Sequence, residues 1–203
     1  MADEARIWTA DPLTWGSGPR VLEAFLEPTC PYCARSFPKL FELVERLGAA
    51  RVSVKIRLHP QPWHMLSGVI VRAILAASTT QGGREAARAV MAAVFARRGE
   101  FEFDDHCSGP NMDATPNQIL ARIEAASGVG VAAPFKIPDL DREVRWHVKY
   151  ARQNGVHVSP TFMVDGLINP GMSSGDTIEA WARQMGYARI AVMWWTARSG
   201  PCH

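Results

Sequence analysis

The period of the apolar residues changes twice in the first third of the chain. Val21-Leu22-Glu23-Ala24-Phe25-Leu26 is a short, nearly continuous apolar run that stops before Pro28. That is the pattern of a strand covered on both faces. Phe37, Leu40, Phe41, Val44 and Leu47 then recur at helical spacing, and Gly48 stands where such a helix would end. Val52-Ser53-Val54-Lys55-Ile56-Arg57-Leu58 alternates apolar and polar residues and predicts a second strand. Strand, helix, strand in this order implies a right-handed crossover between a parallel pair, and hence an α/β class. Residues 1–18, ending in Gly16-Ser17-Gly18, carry no strong pattern and read as a flexible approach.

From about residue 66 to 154 the pattern is helical. The stretches from Met65 to Ala77 and from Glu85 to Arg97 are rich in Ala, Leu, Val and Arg. Thr115-Pro116 opens a third helix, with a cap followed by proline in the first turn. Ile137, Leu140, Val144, Val148 and Ala151 mark a fourth, which stops before Asn154-Gly155. This block reads as an all-helical domain inserted between the second and third strands. The segment Val156-His157-Val158-Ser159-Pro160-Thr161-Phe162-Met163-Val164 is β-like on both sides of its proline. Asp165-Gly166 predicts a hairpin into Leu167-Ile168. A last helix is expected from Ser174 to Met185, capped by Ser173 or Ser174. The expected division is 1–65 with 155–187 as the α/β unit, 66–154 as the helical insertion, and 188–203 as an unassigned tail.

Composition narrows the function. Of the 203 residues, 47% are apolar and 21% charged, as in ordinary soluble globular proteins. A net charge of +2 gives no field that would favour nucleic acid or an acidic membrane surface. No apolar run approaches the roughly 18–20 residues of a membrane span. Met1-Ala2-Asp3-Glu4-Ala5-Arg6 places acids where a secretory leader carries basic residues. The expectation is therefore a cytoplasmic protein, or a periplasmic one if a leader has been removed. A reducing compartment disfavours structural disulfides and favours catalytic or metal-binding thiols.

Four cysteines are present, and only Cys30 and Cys33 are close in sequence. Cys30-Pro31-Tyr32-Cys33 lies between a strand and a helix. Unpaired N–H groups in the first helical turn, with the positive end of the helix dipole, stabilise a thiolate at Cys30. Cys33 lies further into the helix and is expected to be more buried. Such a pair exchanges electrons: Cys30 forms a mixed disulfide with a partner and Cys33 resolves it. The same spacing also suits half of a zinc site, which needs a second pair of ligands. The remaining candidates, His106-Cys107 and Cys202-His203, are isolated dipeptides far along the chain.

Thr29-Cys30-Pro31-Tyr32-Cys33 after an apolar strand, the long helical insertion, and Val158-Ser159-Pro160-Thr161-Phe162-Met163-Val164-Asp165-Gly166 together resemble the DsbA-like disulfide oxidoreductases. His59-Pro60 followed by Trp63-His64 is similar to that family too. The resemblance covers roughly residues 20–187. It implies a thioredoxin fold with Cys30 attacking and Cys33 resolving. It also implies a cis Ser159-Pro160 loop that, with Thr161, Pro31 and Tyr32, meets the backbone of a thiol or disulfide substrate. No cofactor or metal is implied. In the family an acid often lies six residues before the first cysteine; that position is Ala24 here, with acids at Glu23 and Glu27. Glu23 would point to the far face of a regular strand. Two other readings stand beside this one. The first is a metal-binding or interaction module on the same fold. The second is a glutathione-dependent thiol enzyme, because Cys-Pro-Tyr-Cys also resembles the glutaredoxin site.

Other residues read as structural. The tryptophans at 8, 15, 63, 146, 181, 194 and 195 are expected in packing, with Trp63 the best candidate for a groove. His64, His106 and His147 read as surface or satisfied polar residues, and Arg84, Arg88, Arg97 and Arg98 as a solvated helix face. Cys107 and Cys202 read as unrelated free thiols.

Overall fold

The computed structural model describes residues 12–187. The expectations for Met1–Arg6, Trp8, Trp194, Trp195, Cys202-His203 and the tail fall outside these residues. Five strands form one mixed sheet in the order β1-β3-β2-β4-β5: β1 (Thr14–Gly16), β2 (Arg20–Leu26), β3 (Val52–Leu58), β4 (Thr161–Val164) and β5 (Leu167–Ile168). Strands β2 and β3 are parallel, joined through α1 (Pro31–Leu47); every other pairing is antiparallel. Four helices lie between β3 and β4: α2 (Ser67–Ser78), α3 (Gly83–Ala96), α4 (Pro116–Ser127) and α5 (Leu140–Gln153). The last helix is α6 (Ile178–Gln184).

The alternation of β2 splits its side chains between two cores. Leu22, Ala24 and Leu26 join Val54, Ile56, Leu58 and Phe162 in the larger apolar cluster, with Leu40 and Leu43 of α1 and Trp181 of α6. That cluster continues without a break into Ile70, Val71, Met91, Val94, Ile119 and Ile123 of α2, α3 and α4. Phe25 faces the other way, into a small cluster with Ala151, Val156 and Met163. Cover on both faces explains why β2 reads as a continuous apolar run.

Three segments differ from expectation. Thr14–Gly16 is not a flexible approach but an edge strand, with Trp15 opposite Val54. Its three residues are too few to show a period, and Trp15 is held by packing on Phe41 and by its indole N–H donating to Glu85. Residues 156–160 are not strand; β4 starts only at Thr161, after the proline. Helix α6 starts at Ile178, not Ser174, and its cap is Thr177, which accepts from the Ala180 N–H. Residues 173–176 form a turn of their own. The Ser173 N–H donates to the Asp176 carboxylate and the Gly175 N–H to the Ser173 hydroxyl. Such local side-chain bonds compete with helix. The Asp165-Gly166 hairpin has φ of 49° and 83° at its two central residues, the positive values that a type I′ turn needs. None of the helices among the described residues is long and apolar enough to cross a membrane.

Candidate active site

The site forms where β2 hands over to α1. Cys30 is the N-cap of α1 and Pro31 its first helical residue, where a missing N–H costs nothing. No side chain caps this end, so the first-turn N–H groups stay free for the Cys30 sulfur. Cys30 keeps 7% of its surface, less than a freely accessible thiol would show, and Cys33 keeps none. Both are free thiols.

The surroundings split the pair. A hydrogen bond from the Cys33 thiol, helped by the backbone N–H groups of Cys33 and Tyr32, lowers the Cys30 pKa from its ordinary value of 9.0 to about 6 against the opposing effect of burial. Burial drives the Cys33 thiol the other way, well above the ordinary value, and its bond to Cys30 adds to that. At neutral pH this gives one thiolate and one thiol.

Opposite the dithiol lies residue 160. The Ser159–Pro160 peptide bond is cis, and the Ser159 carbonyl sits 3.7 Å from the Cys30 sulfur. The Thr161 hydroxyl donates to the Val158 carbonyl across this turn. The structure therefore brings Cys30, Cys33, Pro31, Ser159 and Pro160 to one place. Tyr32 is 56% exposed beside them, and Trp63, 47% exposed, belongs to the neighbouring segment. A shallow cavity lined by Val156, Val158, Pro160, Phe162, Ile168 and Met172 runs off from the proline.

The two acids take separate places. Glu23 does face away from the dithiol. Its carboxylate takes the Arg57 guanidinium at 2.5 Å and the Tyr150 hydroxyl at 3.0 Å. Arg57 packs against the rings of Trp146 and Tyr150, which stack on each other, so Trp146 serves packing, as do the buried Trp15 and Trp181. Glu27 is fully buried beneath the site. Its backbone N–H donates to the Cys33 sulfur at 3.3 Å, and its carboxylate accepts from both the N–H and the hydroxyl of Thr29.

Several neighbours of the site carry weak sequence signals. His64 is a satisfied polar residue, as expected, and it belongs to the site: its Nδ1 lies 2.9 Å from the Thr29 hydroxyl, and its ring packs edge-on against His106. Arg98 is not part of a solvated face, for its guanidinium donates to the Thr29 carbonyl and pairs with Glu102. His59 is buried, and desolvation lowers its pKa. His147 is buried under β3, where its Nδ1 accepts from the Leu58 N–H. Position-by-position patterning finds none of these, because each is recruited by an element far away in sequence. The one available clue was an acid and a hydroxyl, Glu27 and Thr29, directly before the first cysteine. Cys107 is exposed, on the loop that carries His106. Among the described residues no three His, Cys, Asp or Glu side chains converge as a metal site.

Comparison with known proteins agrees with this geometry. Residues 16–183 match the thioredoxin family model. A structure from Pseudomonas syringae, described as a candidate protein-disulfide isomerase, is 58% identical; the match covers 87% of this chain and 99% of that one, with a TM-score of 0.86. DsbA2 from Pseudomonas aeruginosa is 17% identical over 93% of this chain and all of its own, with a TM-score of 0.63. A periplasmic thioredoxin-like protein from Salmonella enterica serovar Typhimurium is 18% identical over 87% and 88% of the two chains, with a TM-score of 0.64. At those lower identities the likeness is one of fold. No curated protein sequence matches the chain.

Proposed function

Since the chain belongs to the thioredoxin family, and its fold is DsbA-like, we propose that it is a thiol–disulfide oxidoreductase acting on protein thiols or small disulfides through Cys30 and Cys33. The observation that carries this reading is the split pair: a lowered Cys30 pKa at a helix N-terminus beside a buried, raised Cys33. In this reading the Cys30 thiolate attacks a partner disulfide, or the oxidised pair is attacked at Cys30, and a mixed disulfide forms. Cys33 then closes the intramolecular disulfide and releases the partner. The cis turn at Ser159–Pro160 and the first residue of β4, Thr161, present backbone groups to an extended substrate, with Pro31 and Tyr32 forming the opposite wall. The cysteines carry the electrons, so the reaction needs no cofactor. Residues 66–154 act as the helical domain that frames this site. The name given to the Pseudomonas syringae relative supports protein disulfides as the substrate class.

The test is insulin reduction and dithiol oxidation by the wild type and by Cys30→Ser. Loss of both activities in the variant is expected, and full activity there would remove the proposal. Metal analysis of protein purified without chelator and a glutathione-coupled assay with a small disulfide separate the metal-module and glutaredoxin-like alternatives.

A further inference from the structure

Helix α5 carries an excess of positive charge along one side. Arg142, Arg145, Lys149 and Arg152 are spaced by three or four residues, so they line a single face of the helix. All four are exposed, while Leu140, Glu143, His147 and Ala151 form the buried face. At the rise of an α-helix this ridge is about 15 Å long. The acids nearby do not cancel it. Asp139 lies 2.7 Å from Arg142 and Asp141 lies 3.8 Å from Arg145, but Asp141 is also held by Arg72. Lys149 and Arg152 have no acid partner among the described residues. The arginines on and just after α3 differ: Arg84 and Arg88 both meet Glu85, Arg97 meets Glu100, and Arg98 meets Glu102.

The ridge also has shape. Arg142, Arg145 and Lys149 line a depression together with the half-buried Trp146. That indole is fixed in place, for it stacks on Tyr150 with ring centroids 4.9 Å apart and has the Arg57 guanidinium 4.8 Å from its centroid. One aromatic ring among three cations suits a carboxylate on a short carbon stem. The feature is local, since the whole chain has a net charge of only +2.

The ridge adjoins the path of a substrate. Arg152 stands three residues before Gly155, which lines the same groove as Val158 and Pro160. The Ser159 carbonyl in that turn is 3.7 Å from the Cys30 sulfur. Arg152 and Pro160 are eight residues apart in the sequence, and a chain of that length spans at most about 29 Å. An extended substrate segment of about ten residues therefore covers the distance from the dithiol to the ridge.

Resting on the proposed dithiol chemistry, we propose that the α5 ridge selects the substrate: it binds an acidic segment of a protein that carries clustered Asp or Glu within about ten residues of its reacting cysteine. The four cations touch no reacting atom. They raise the rate of encounter and hold the acidic segment while Cys30 exchanges with the cysteine, an effect that salt weakens. The helical insertion then sets which proteins are served, and the dithiol sets what is done to them.

The experiment uses peptides whose single cysteine is joined by a disulfide to an aromatic thiol that is coloured when released. Reduced protein is mixed with three such peptides that carry Glu, Gln or Lys clusters about ten residues from the cysteine, and with a small neutral aromatic disulfide. At low ionic strength the Glu peptide should react about tenfold faster than the Gln peptide, the low end of electrostatic steering, and the Lys peptide slower than both. Near 1 M salt, where screening acts within about 3 Å, the three rates should converge. Lys149→Glu with Arg152→Glu should reverse the order of the peptides and leave the rate with the small neutral disulfide unchanged. Lys149→Gln with Arg152→Gln should fall between wild type and the reversed variant. Equal rates for the Glu and Gln peptides at low salt, or a Glu preference that survives the charge reversal, would overturn the proposal. No release by the wild type from any of these disulfides, the small one included, would instead sink the dithiol reading on which it rests.

Discussion

Cys30 and Cys33 are identical thiols three residues apart, and only their surroundings make them different. Cys30 receives hydrogen bonds at the open end of α1, whereas Cys33 is sealed inside. Alkylation of the reduced protein should therefore rise with pH through a midpoint near 6 at Cys30 and leave Cys33 unmodified at neutral pH. Mass mapping of the labelled peptides at a series of pH values checks both halves. A single midpoint near the ordinary thiol value of 9.0 would contradict the split. The buried pair on the other face makes a different prediction. Arg57 and Glu23 are each about 5% exposed at their side chains and lie 2.5 Å apart. Removing one partner leaves a buried charge alone, so Arg57→Ala should lower stability by about 3–5 kcal/mol in denaturant unfolding. Arg57→Met with Glu23→Gln, which keeps volume and removes both charges, should cost far less.

At the scale of elements, legibility followed length and periodicity. Strand β2, helix α1 and strand β3 were plain in the sequence because each is seven or more residues long and repeats its apolar face. The Asp165-Gly166 hairpin was equally plain, since its two residues adopt the positive φ that the pair announces. Strand β1 was hidden by its shortness, and the start of α6 by serines that build a turn instead of capping. The dithiol and Pro160 could be picked out because they are motif residues. Thr29 and His64 stood in the family-like segments and Arg98 read as solvated surface, but the contacts that join them could not be read, because they lie 35 and 69 residues apart in the chain. The caps can be tested directly. Thr177→Ala should cost about 1 kcal/mol and shorten α6, because it removes the bond to the Ala180 N–H. Thr115→Ala at the capping box of α4 should cost a similar amount, about 1 kcal/mol. A shift in the denaturant midpoint with an unchanged slope is the expected reading for both.

At the scale of the whole molecule, one apolar cluster joins the sheet to α1, α2, α3, α4 and α6, so the redox state of the site should be felt in global unfolding. The sign follows from linkage. A Cys30 pKa lowered from 9.0 to about 6 in the folded protein means that, between those values, the unfolded chain binds the proton and the folded one does not. Stability of the reduced form must rise with pH across that window, by roughly 4 kcal/mol for the full three-decade difference, and be lost as pH falls back through about 6. Above 9.0 the effect reverses, because Cys33 then ionises in the unfolded chain but stays protonated in the fold, where burial raises its pKa. In the oxidised form neither sulfur titrates, so both effects vanish. The difference in Tm between reduced and oxidised protein should therefore climb in favour of the reduced form from pH 6 towards 9 and turn over beyond it. Paired thermal melts at matched ionic strength measure that difference with all other titrating groups cancelled. Cys30→Ser has no thiolate and cannot form the disulfide, so its melts, set against those of oxidised wild type, should lack the Cys30 climb between pH 6 and 9. A difference that stays flat across the window would mean that the open end of α1 does not hold a thiolate at all.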